Sequence, residues 1–321
     1  MSKLRPSSPA VWRVALGLLA VCLLLCACSQ QRKSQGAPYK VLIYGHDNES
    51  AKAVEAKLTL TFISHLPQRE RLLTVERTAN EKKAHLARCL VSIDTDSRKH
   101  HDTRLHLTTN RWAQPQLALH ITTPSASHLR HFLATRGDLI CQQIEAFEKR
   151  QTVADLRHSH ERNVEQLMRK QTGHTLWVPK SLNAVKEGKD FIWVAAGESH
   201  DALNICLYSY PATGLDAEQL IRMRDSIMKV NIPGELPGTY MQTEREWEPV
   251  ARPLGDAEKP EMELYALWNM NGDAMGGPFV CRARLDPDKQ RVIVAEGFIF
   301  APGKRKRPHL KMAEAIISTL N

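Results

Sequence analysis

The chain has 321 residues, of which 42% are hydrophobic and 25% are charged, and these proportions are ordinary for a globular protein. Its 44 basic and 35 acidic residues give a formal net charge of +9. This excess is mild and lacks the concentrated charge of a nucleic-acid-binding protein, so we expect no nucleic-acid partner. The length fits one large domain or two small ones.

The first 27 residues have the pattern of a secretory signal. Lys3, Arg5 and Arg13 make a basic start, and the run from Val14 to Ala27 is uncharged. This run is shorter than the roughly 20 apolar residues that span a bilayer. The pattern predicts a signal peptide over residues 1–27.

The end of this run predicts a lipid anchor. Leu25-Cys26-Ala27-Cys28 resembles the lipobox of bacterial lipoproteins, in which a small residue precedes the acylated cysteine. Cys22 and Cys26 each follow a bulky residue, which leaves Cys28 as the predicted lipidation site. Acyl chains such as palmitate on this thiol would insert among membrane lipids, at about 0.8 kcal/mol per buried methylene. A plain cleaved signal and an uncleaved anchor are the alternatives.

Residues 28–38 are polar, with Gly36 and Pro38 near the end, and predict a flexible tether. Some surface-exported lipoproteins carry an acidic run at this place, whereas here the segment is basic and neutral. We therefore expect a protein anchored in the outer membrane with its body facing the periplasm.

Residues 39–172 form the predicted first half. Short apolar or alternating runs predict strands at 39–44, 71–77, 88–94, 104–108 and 116–122, and apolar spacing predicts helices over 50–62 and from Asn80. Ser125 is a predicted N-cap, and a helical pattern continues from it to about Gln171, with Gly173 ending it. Because this span is unusually long, we predict two helices, or one helix kinked at Gly137.

Residues 173–321 form the predicted second half. Strands are predicted at 191–195, 203–210, 240–243, 262–270, 279–285 and 291–300, with helices starting at Asp216 and at Pro308. Because both halves mix antiparallel hairpins with helices, the predicted class is α+β. We expect mixed, mainly antiparallel sheets with helices packed on one face, in two similar-sized halves joined by a long or kinked helix.

Several strings of the second half occur in a specific order: Phe191-Ile-Trp-Val194, Tyr208-Ser-Tyr-Pro211, Arg224-Asp-Ser-Ile-Met-Lys229, Tyr240-Met-Gln-Thr-Glu244, Gly272-Asp-Ala-Met-Gly-Gly-Pro-Phe-Val280 and Glu296-Gly-Phe-Ile-Phe-Ala-Pro302. With Arg111-Trp-Ala-Gln-Pro-Gln116 upstream, the set resembles an uncharacterised Bacteroidota lipoprotein family, domain of unknown function 4837. The resemblance extends over nearly all of the chain after the signal. It implies an envelope lipoprotein and supplies no activity, substrate or catalytic residue.

The loop Gly272–Pro278 is the most distinctive candidate for binding. It joins two predicted strands, and its two consecutive glycines can adopt positive φ and present backbone N–H groups to an anion. A structural bulge or wide hairpin is the alternative. The candidate binding residues are Asp273, Gly276, Gly277, Trp268 and Tyr240.

No pattern predicts a catalytic residue, a cofactor or a metal site. Metal carriage by the first-half histidines is the weaker alternative, since His100, His101, His106 and His120 lack demanding ligand spacing. Four cysteines lie outside the signal region without a CxxC pair, so disulfides and buried thiols both remain open. They are Cys89, Cys141, Cys206 and Cys281.

The dense basic run Lys304–Arg307 predicts a solvated loop or a contact with anionic headgroups. Together these features favour a lipid-anchored envelope protein with a non-catalytic binding or scaffolding role, acting with an envelope protein partner. The alternative is an envelope hydrolase with its site near the Gly272–Pro278 loop.

Overall fold

The structure is a computed structural model that describes residues 32–197, 202–256 and 258–321. Within these residues, the first half contains strands β1 (Arg32–Lys33), β2 (Lys40–Gly45), β3 (Thr74–Thr78), β4 (Cys89–Thr95), β5 (Arg104–Thr109), β6 (Ala113–Gln114) and β7 (Leu117–Thr123). Its helices are α1 (Asn48–Thr59), α2 (Glu81–His85) and α3 (Ala126–Ser159).

The larger sheet of the first half has the strand order β3-β2-β4-β7-β5. Its first four strands are parallel, and β5 alone is antiparallel to its neighbour β7. Parallel neighbours need a crossover connection, which contains α1 between β2 and β3, and α1 and α2 between β2 and β4, whereas the connection from β4 to β7 contains β5 and β6. This half therefore differs from the predicted mixture of antiparallel hairpins and helices.

The described part of the predicted tether is held to the body. β1 pairs in parallel with β6, with Arg32 opposite Ala113. The Gln35 backbone N–H donates to the Leu86 carbonyl at 2.7 Å. Residues 32–35 are thus hydrogen-bonded to the first half, and only residues 28–31 of the segment lie outside the described residues.

The long helical span divides into two helices, but not at Gly137. Ser125 caps α3 by accepting from the His128 N–H, as predicted, and α4 (Arg162–Thr172) follows after a break at His160. There the Glu161 N–H donates to the Val178 carbonyl at 2.8 Å, which draws the chain out of the helix. Gly137 lies inside α3, where an added Cβ would be 2.7 Å from Lys57 Cε, so this glycine permits close packing of α1.

The second half contains strands β8 (Leu182–Gly188), β9 (Phe191–Ala196), β10 (Leu203–Pro211), β11 (Tyr240–Thr243), β12 (Val250–Pro253), β13 (Glu261–Asn271), β14 (Gly276–Asp286) and β15 (Arg291–Ile299). With α4, its helices are α5 (Ala217–Asn231) and α6 (Arg307–Ile317). The strands form one antiparallel sheet in the order β11-β13-β14-β15-β10-β9-β8, and β12 also pairs with β13.

Helices cover both faces of this sheet rather than the one face that we predicted. On one face, α4 and α6 complete a hydrophobic core that is continuous with the first half, joining residues such as Ile140 and Phe147 to Ile205 and Ile316. On the other face, α5 packs over a second core that contains Phe279. The central strands β14 and β15 are buried along most of their length. Side chains on both faces of the sheet are therefore shielded from water, which requires a covering layer on each face.

The predicted α+β class is confirmed, with mainly antiparallel strands overall and the long helix α3 joining the two halves. None of the helices among the described residues is both long and apolar enough to cross a membrane.

Candidate functional site

A cleft of about 980 Å³ lies between the two halves. The first half contributes the loop after α1 and the start of β3, residues 66–75. The second half contributes the β13–β14 hairpin and residues 303–307 before α6. Cavities of this size are typical of ligand sites at domain interfaces.

The lining of this cleft is strongly basic. Six basic residues face two acidic ones, and both acidic side chains already accept hydrogen bonds within the protein. We call this cavity the basic cleft. The basic residues are Arg69, Arg71, Lys304, Arg305, Lys306 and Arg307, and the acidic ones are Glu70 and Glu244.

Glu70 fixes the basic run by capping α6 from the other half of the molecule. Its carboxylate accepts from the backbone N–H groups of Lys306 at 2.8 Å and Arg307 at 3.0 Å. The N-cap residue of α6, Lys306, makes no side-chain cap bond of its own, so the carboxylate satisfies two otherwise unpaired donors at the positive end of the helix. The run 304–307 is thereby held against the loop of the first half.

Arg307 strengthens this junction. Its guanidinium donates to the Leu72 carbonyl at 3.0 Å, and burial lowers the pKa of the group below its ordinary value. Arg307 is therefore used in holding the halves together. The side chains of Arg71, Lys304, Arg305 and Lys306 have no ion pair with an acidic residue in the described part of the chain.

Glu244 is held in its ionised form. Hydrogen bonds from the Glu246 backbone N–H and from the Asn269 amide lower the pKa of its carboxyl group. It therefore acts as a fixed acceptor that positions Asn269 in the lining and is poorly suited to donate a proton. Apolar side chains of Leu66, Leu73 and Pro278 complete the walls.

Three of the five predicted binding residues line the basic cleft, namely Trp268, Gly276 and Gly277. Asp273 is exposed outside the lining and accepts from the Ala274 backbone N–H at 2.6 Å. Tyr240 is also outside it, and its ring contacts the Lys229 ammonium at 4.3 Å.

The paired glycines have a packing role. Both lie in β14, and neither has a positive φ, so the predicted positive φ at Gly276 and Gly277 is wrong. Positive φ occurs instead at Gly272 in the hairpin turn. A Cβ on Gly277 would lie 2.0 Å from the Ile299 carbonyl oxygen. That oxygen accepts from Trp268 Nε1 at 3.2 Å, so the absent side chain makes room for the buried indole.

A second cavity of about 290 Å³ also lies between the halves. Its centre is Lys311 on α6, whose ammonium donates to Glu145 at 2.8 Å and to Glu314 at 3.0 Å. Burial raises the pKa of the Glu314 carboxyl group, and the ion pair with Lys311 opposes this. At the rim, His65 stacks on Tyr265, and burial and then Arg252 lower its pKa to about 4. The Lys311 ammonium and the two carboxylates of this cavity are thus already paired with one another.

The first-half histidines do not converge on one point. His106 and His120 are opposite each other across β5 and β7, but His120 bonds to Ser92 at 2.9 Å and His100 bonds to Asp94 at 2.9 Å. Within the described residues, no group of three or more His, Cys, Asp or Glu residues is arranged to hold a metal ion.

The four cysteines are free and buried, so of the two alternatives, disulfides and buried thiols, the structure has buried thiols. Burial raises the pKa of the Cys206 and Cys281 thiols well above the ordinary value, which suppresses the reactive thiolate. Cys28 and the signal pattern lie outside the described residues.

Comparisons with known families divide the chain in two. Residues 161–319 match the family described as "Domain of unknown function (DUF4837)". The match covers 159 of the 321 residues and confirms the resemblance of this part of the chain to that family. Residues 34–157 match a different one, "Domain of unknown function (DUF8532)", so the DUF4837 resemblance is confined to the second half and does not extend over nearly the whole chain. The two matches meet at the break between α3 and α4, earlier than the predicted boundary after residue 172.

The other comparisons found no curated relative and weak similarity to solved structures. The search of curated proteins gave no match. Two structures of protein Mog1 each align with 46% of this chain and 89% of their own, one a mutant (8% identity, TM-score 0.30) and one the Saccharomyces cerevisiae Ran-binding protein Mog1p (9%, 0.29). A Bacteroides thetaiotaomicron structure aligns with 46% of this chain and 44% of its own (11%, 0.22). These TM-scores are too low to support an inference.

Proposed function

We propose that this protein is a lipid-anchored envelope protein that binds an anionic ligand, without catalysis, in the basic cleft between its halves. The observation that carries the proposal is the surplus of positive charge in the lining, where both carboxylates are engaged and five basic side chains, with Arg69 as the fifth, are without acidic partners in the described residues.

A partly enclosed cleft strengthens this charge effect. Low-dielectric walls focus the field of like charges, which raises the local concentration of a counter-ion. Lys and Arg side chains then form charge-assisted hydrogen bonds to carboxylate or phosphate oxygens, which are shorter and stronger than neutral ones. The apolar walls at Leu66, Leu73 and Pro278 fit a ligand that also has a non-polar part.

The lining favours binding over hydrolysis. Its described residues include no histidine, cysteine, serine or aspartate, and the Glu244 carboxylate is held ionised by its donors. The carboxylate oxygens of Glu70 accept from the backbone of α6, and those of Glu244 accept from Glu246 and Asn269, so both potential nucleophiles or general bases of the lining are engaged in structural hydrogen bonds. For this reason we propose a binding role rather than the envelope hydrolase.

The anchor and the location are part of the same proposal. Acylation of Cys28 would fix the protein in the outer membrane, with the body on the periplasmic side, and the ligand or a protein partner would belong to the envelope. The support is the lipobox-like sequence and the absence of acidic residues between Cys28 and Lys40.

Ligand binding is tested by titration of the detergent-solubilised protein with inorganic pyrophosphate and with citrate, as phosphate and carboxylate probes. The double variant Lys304→Gln, Arg305→Gln removes two exposed, unpaired charges from the cleft. We expect it to bind the better probe about tenfold more weakly, since two exposed charge contacts contribute up to about 1 kcal/mol each and about 1.4 kcal/mol corresponds to a factor of ten in affinity.

The matched control is Arg130→Gln, Arg136→Gln, which removes two exposed charges from α3 outside the lining. It should bind as tightly as the parent. Equal affinities of all three proteins, or no binding of either probe to the parent, would sink the cleft proposal. Mass spectrometry of the amino terminus tests the anchor separately, because an unacylated residue 28 would contradict it.

A further inference from the structure

The place where the described chain begins is fixed on the surface of the first half. β1 pairs with β6, and the backbone N–H of Ser34 donates to the Gln114 carbonyl at 3.1 Å. The Arg88 N–H donates to the Gln35 carbonyl at 2.8 Å. Residue 32 therefore cannot move away from the body without breaking these bonds.

An aromatic residue with basic neighbours lies at this point. Trp112, next to Ala113 of β6, stacks on His85 with ring centroids 4.1 Å apart. The Arg111 guanidinium lies 4.4 Å from the centre of the Trp112 ring on the exposed side of the loop. The indole is half-buried and packs against a small buried cluster that contains Ala84 and Leu90, so it is held in place at the edge of the surface.

A buried glutamine makes this surface rigid. The Gln116 side chain accepts from the Trp112 N–H at 3.1 Å and donates to the carbonyls of His85 and Ala87, both at 2.8 Å. It is fully buried, so all three bonds are shielded from water. The loop that presents Trp112 is therefore fixed to the end of α2.

Four exposed basic side chains and one exposed acidic side chain, that of Glu81, surround Trp112. Arg32, Lys33, Lys82 and Arg111 are exposed, and none has an acidic partner among the described residues. Lys82 shares a helix face with His85, three residues on, which places it beside the stacked indole. The nearby Glu81 is paired with His85 at 3.6 Å. We call Arg32, Lys33, Lys82, Arg111 and Trp112 the basic–aromatic patch.

We propose that the basic–aromatic patch lies against an anionic lipid bilayer and sets the orientation of the body on the membrane. This inference rests on the proposed acylation of Cys28. Only residues 29–31 separate Cys28 from Arg32, and an extended chain of this length reaches no more than about 14 Å. An acylated Cys28 would hold this surface within reach of the headgroups.

The chemistry of the patch suits that occupant. Tryptophan is enriched at the membrane–water interface, where its ring is at headgroup level. Each basic residue near an anionic leaflet contributes about 1 kcal/mol, and the tether raises the effective concentration of the patch at the surface. Four basic residues and one indole would then hold the body against the membrane surface.

This orientation also places the basic cleft near the membrane. Thr74, which lines the cleft, and Cys89, which follows the Arg88 contact, both begin strands that flank β2. They are two strands apart at the same edge of the sheet, which is about 10 Å. A ligand carried in the membrane surface could therefore reach the cleft without detaching.

The test uses the natural acylated protein reconstituted in vesicles of equal parts phosphatidylglycerol and phosphatidylcholine with brominated chains, which quench nearby tryptophans. Five tryptophans follow residue 28, at positions 112, 177, 193, 247 and 268. We expect strong quenching in the parent, loss of most of it in Trp112→Phe, and a clear decrease in Lys82→Gln, Arg111→Gln. The control Arg130→Gln, Arg136→Gln removes two charges from the first turns of α3, after the opposite end of β7, and should be quenched as the parent is.

Equal quenching in the parent and in Trp112→Phe would overturn the inference, as would equal quenching of the patch and control double variants. Loss of quenching in Trp247→Phe instead would also overturn it, because a different face would then contact the lipid. The mass of the amino-terminal peptide from the same preparation reports on Cys28 separately. An acylated protein without Trp112 quenching contradicts the patch alone, whereas an unacylated amino terminus contradicts the anchor.

Discussion

At the scale of single residues, the strings that carry the family resemblance converge on one buried network. Arg224 on α5 is fully buried and donates to both oxygens of Glu296 on β15, at 2.8–3.1 Å. Tyr208 donates to the same carboxylate at 3.1 Å, Thr243 accepts from the guanidinium at 3.2 Å, and the Phe279 ring lies 3.8 Å from it. These side chains come from five of the strings, so the shared pattern describes a core that orients α5 on the sheet.

Removing the negative charge of this network should be costly. Glu296→Gln leaves the buried Arg224 with Asp225, at 3.4 Å, as its remaining acidic partner, and we expect a loss of about 3 kcal/mol in the free energy of unfolding. Urea denaturation measures it. The control is Glu218→Gln, which breaks the exposed pair with Arg222 and should cost less than about 1 kcal/mol. A loss for Glu296→Gln as small as that of the control would contradict the network's role.

His65 should make stability depend on pH. Its folded pKa of about 4 is below the ordinary 6.5, because burial and then Arg252 disfavour the imidazolium. Between these values the unfolded chain binds a proton that the folded chain does not, so stability falls as pH decreases from 6.5 to 4. His65→Gln should reduce this fall by about 1–2 kcal/mol, an amount that allows for solvent screening of a partly exposed group.

Thermal unfolding at several pH values between 7 and 4 compares His65→Gln with the parent. His101→Gln, at an exposed site, is the control and should keep the parent's pH profile. A His65→Gln profile parallel to that of the parent would contradict the prediction.

At the scale of elements, local signals predicted what local physics determines. The caps at Ser125, Asp216 and Gly173 and the strongly apolar strands are where the sequence placed them. The edge strands β8 and β12 were missed because their side chains are mostly exposed and show no apolar pattern. Of the two alternatives for the long helical span, two helices are observed and the kink at Gly137 is not. The position of the break could not be predicted locally, because its cause is a bond to Val178 outside the helix, whereas Gly137 serves the packing of α1.

Only part of the candidate site could be predicted, because local sequence patterns mark only some of its residues. The glycine and tryptophan strings and the basic run 304–307 stand out in the sequence, and all three line the cleft. Residues 66–75 carry no comparable signal, because they reach the site only through the contact of the two halves. Glu70 illustrates this, since nothing near it in sequence indicates that it caps α6.

Gly297 should be essential for the packing of α6 on the sheet. A Cβ added there would lie 2.5 Å from the Ala313 Cβ, which has no flexible end to move aside. Gly297→Ala should therefore cost about 1–3 kcal/mol through overpacking, as measured by urea denaturation. Ala313→Gly in the same chain removes the clash, so the double variant should be more stable than the sum of the two single changes. Strict additivity of the two changes would show that the helix is not held at this contact.

At the scale of the whole molecule, the two segments that match different families fold around one shared hydrophobic core. The hydrophobic core that contains Ile140 and Phe147 of the first half continues into the inner face of the larger sheet. Lys311 on the last helix pairs with Glu145 on α3, and Glu70 caps that same helix. The basic cleft therefore exists only when both halves are folded against each other, which explains why neither half alone predicts a site.

This arrangement predicts cooperative unfolding. The intact protein should lose far-ultraviolet circular dichroism and tryptophan fluorescence in one coincident urea transition, because either half alone would expose its side of the shared core. Residues 32–160 and 161–321 made separately should lack the near-ultraviolet signal of fixed aromatic packing, and mixing them should restore part of it. A two-step transition, or a native-like spectrum of the isolated second half, would show that α4, α5 and α6 complete a core of their own around the larger sheet. In that case the cleft would be a contact between independent domains, able to open and close around its ligand.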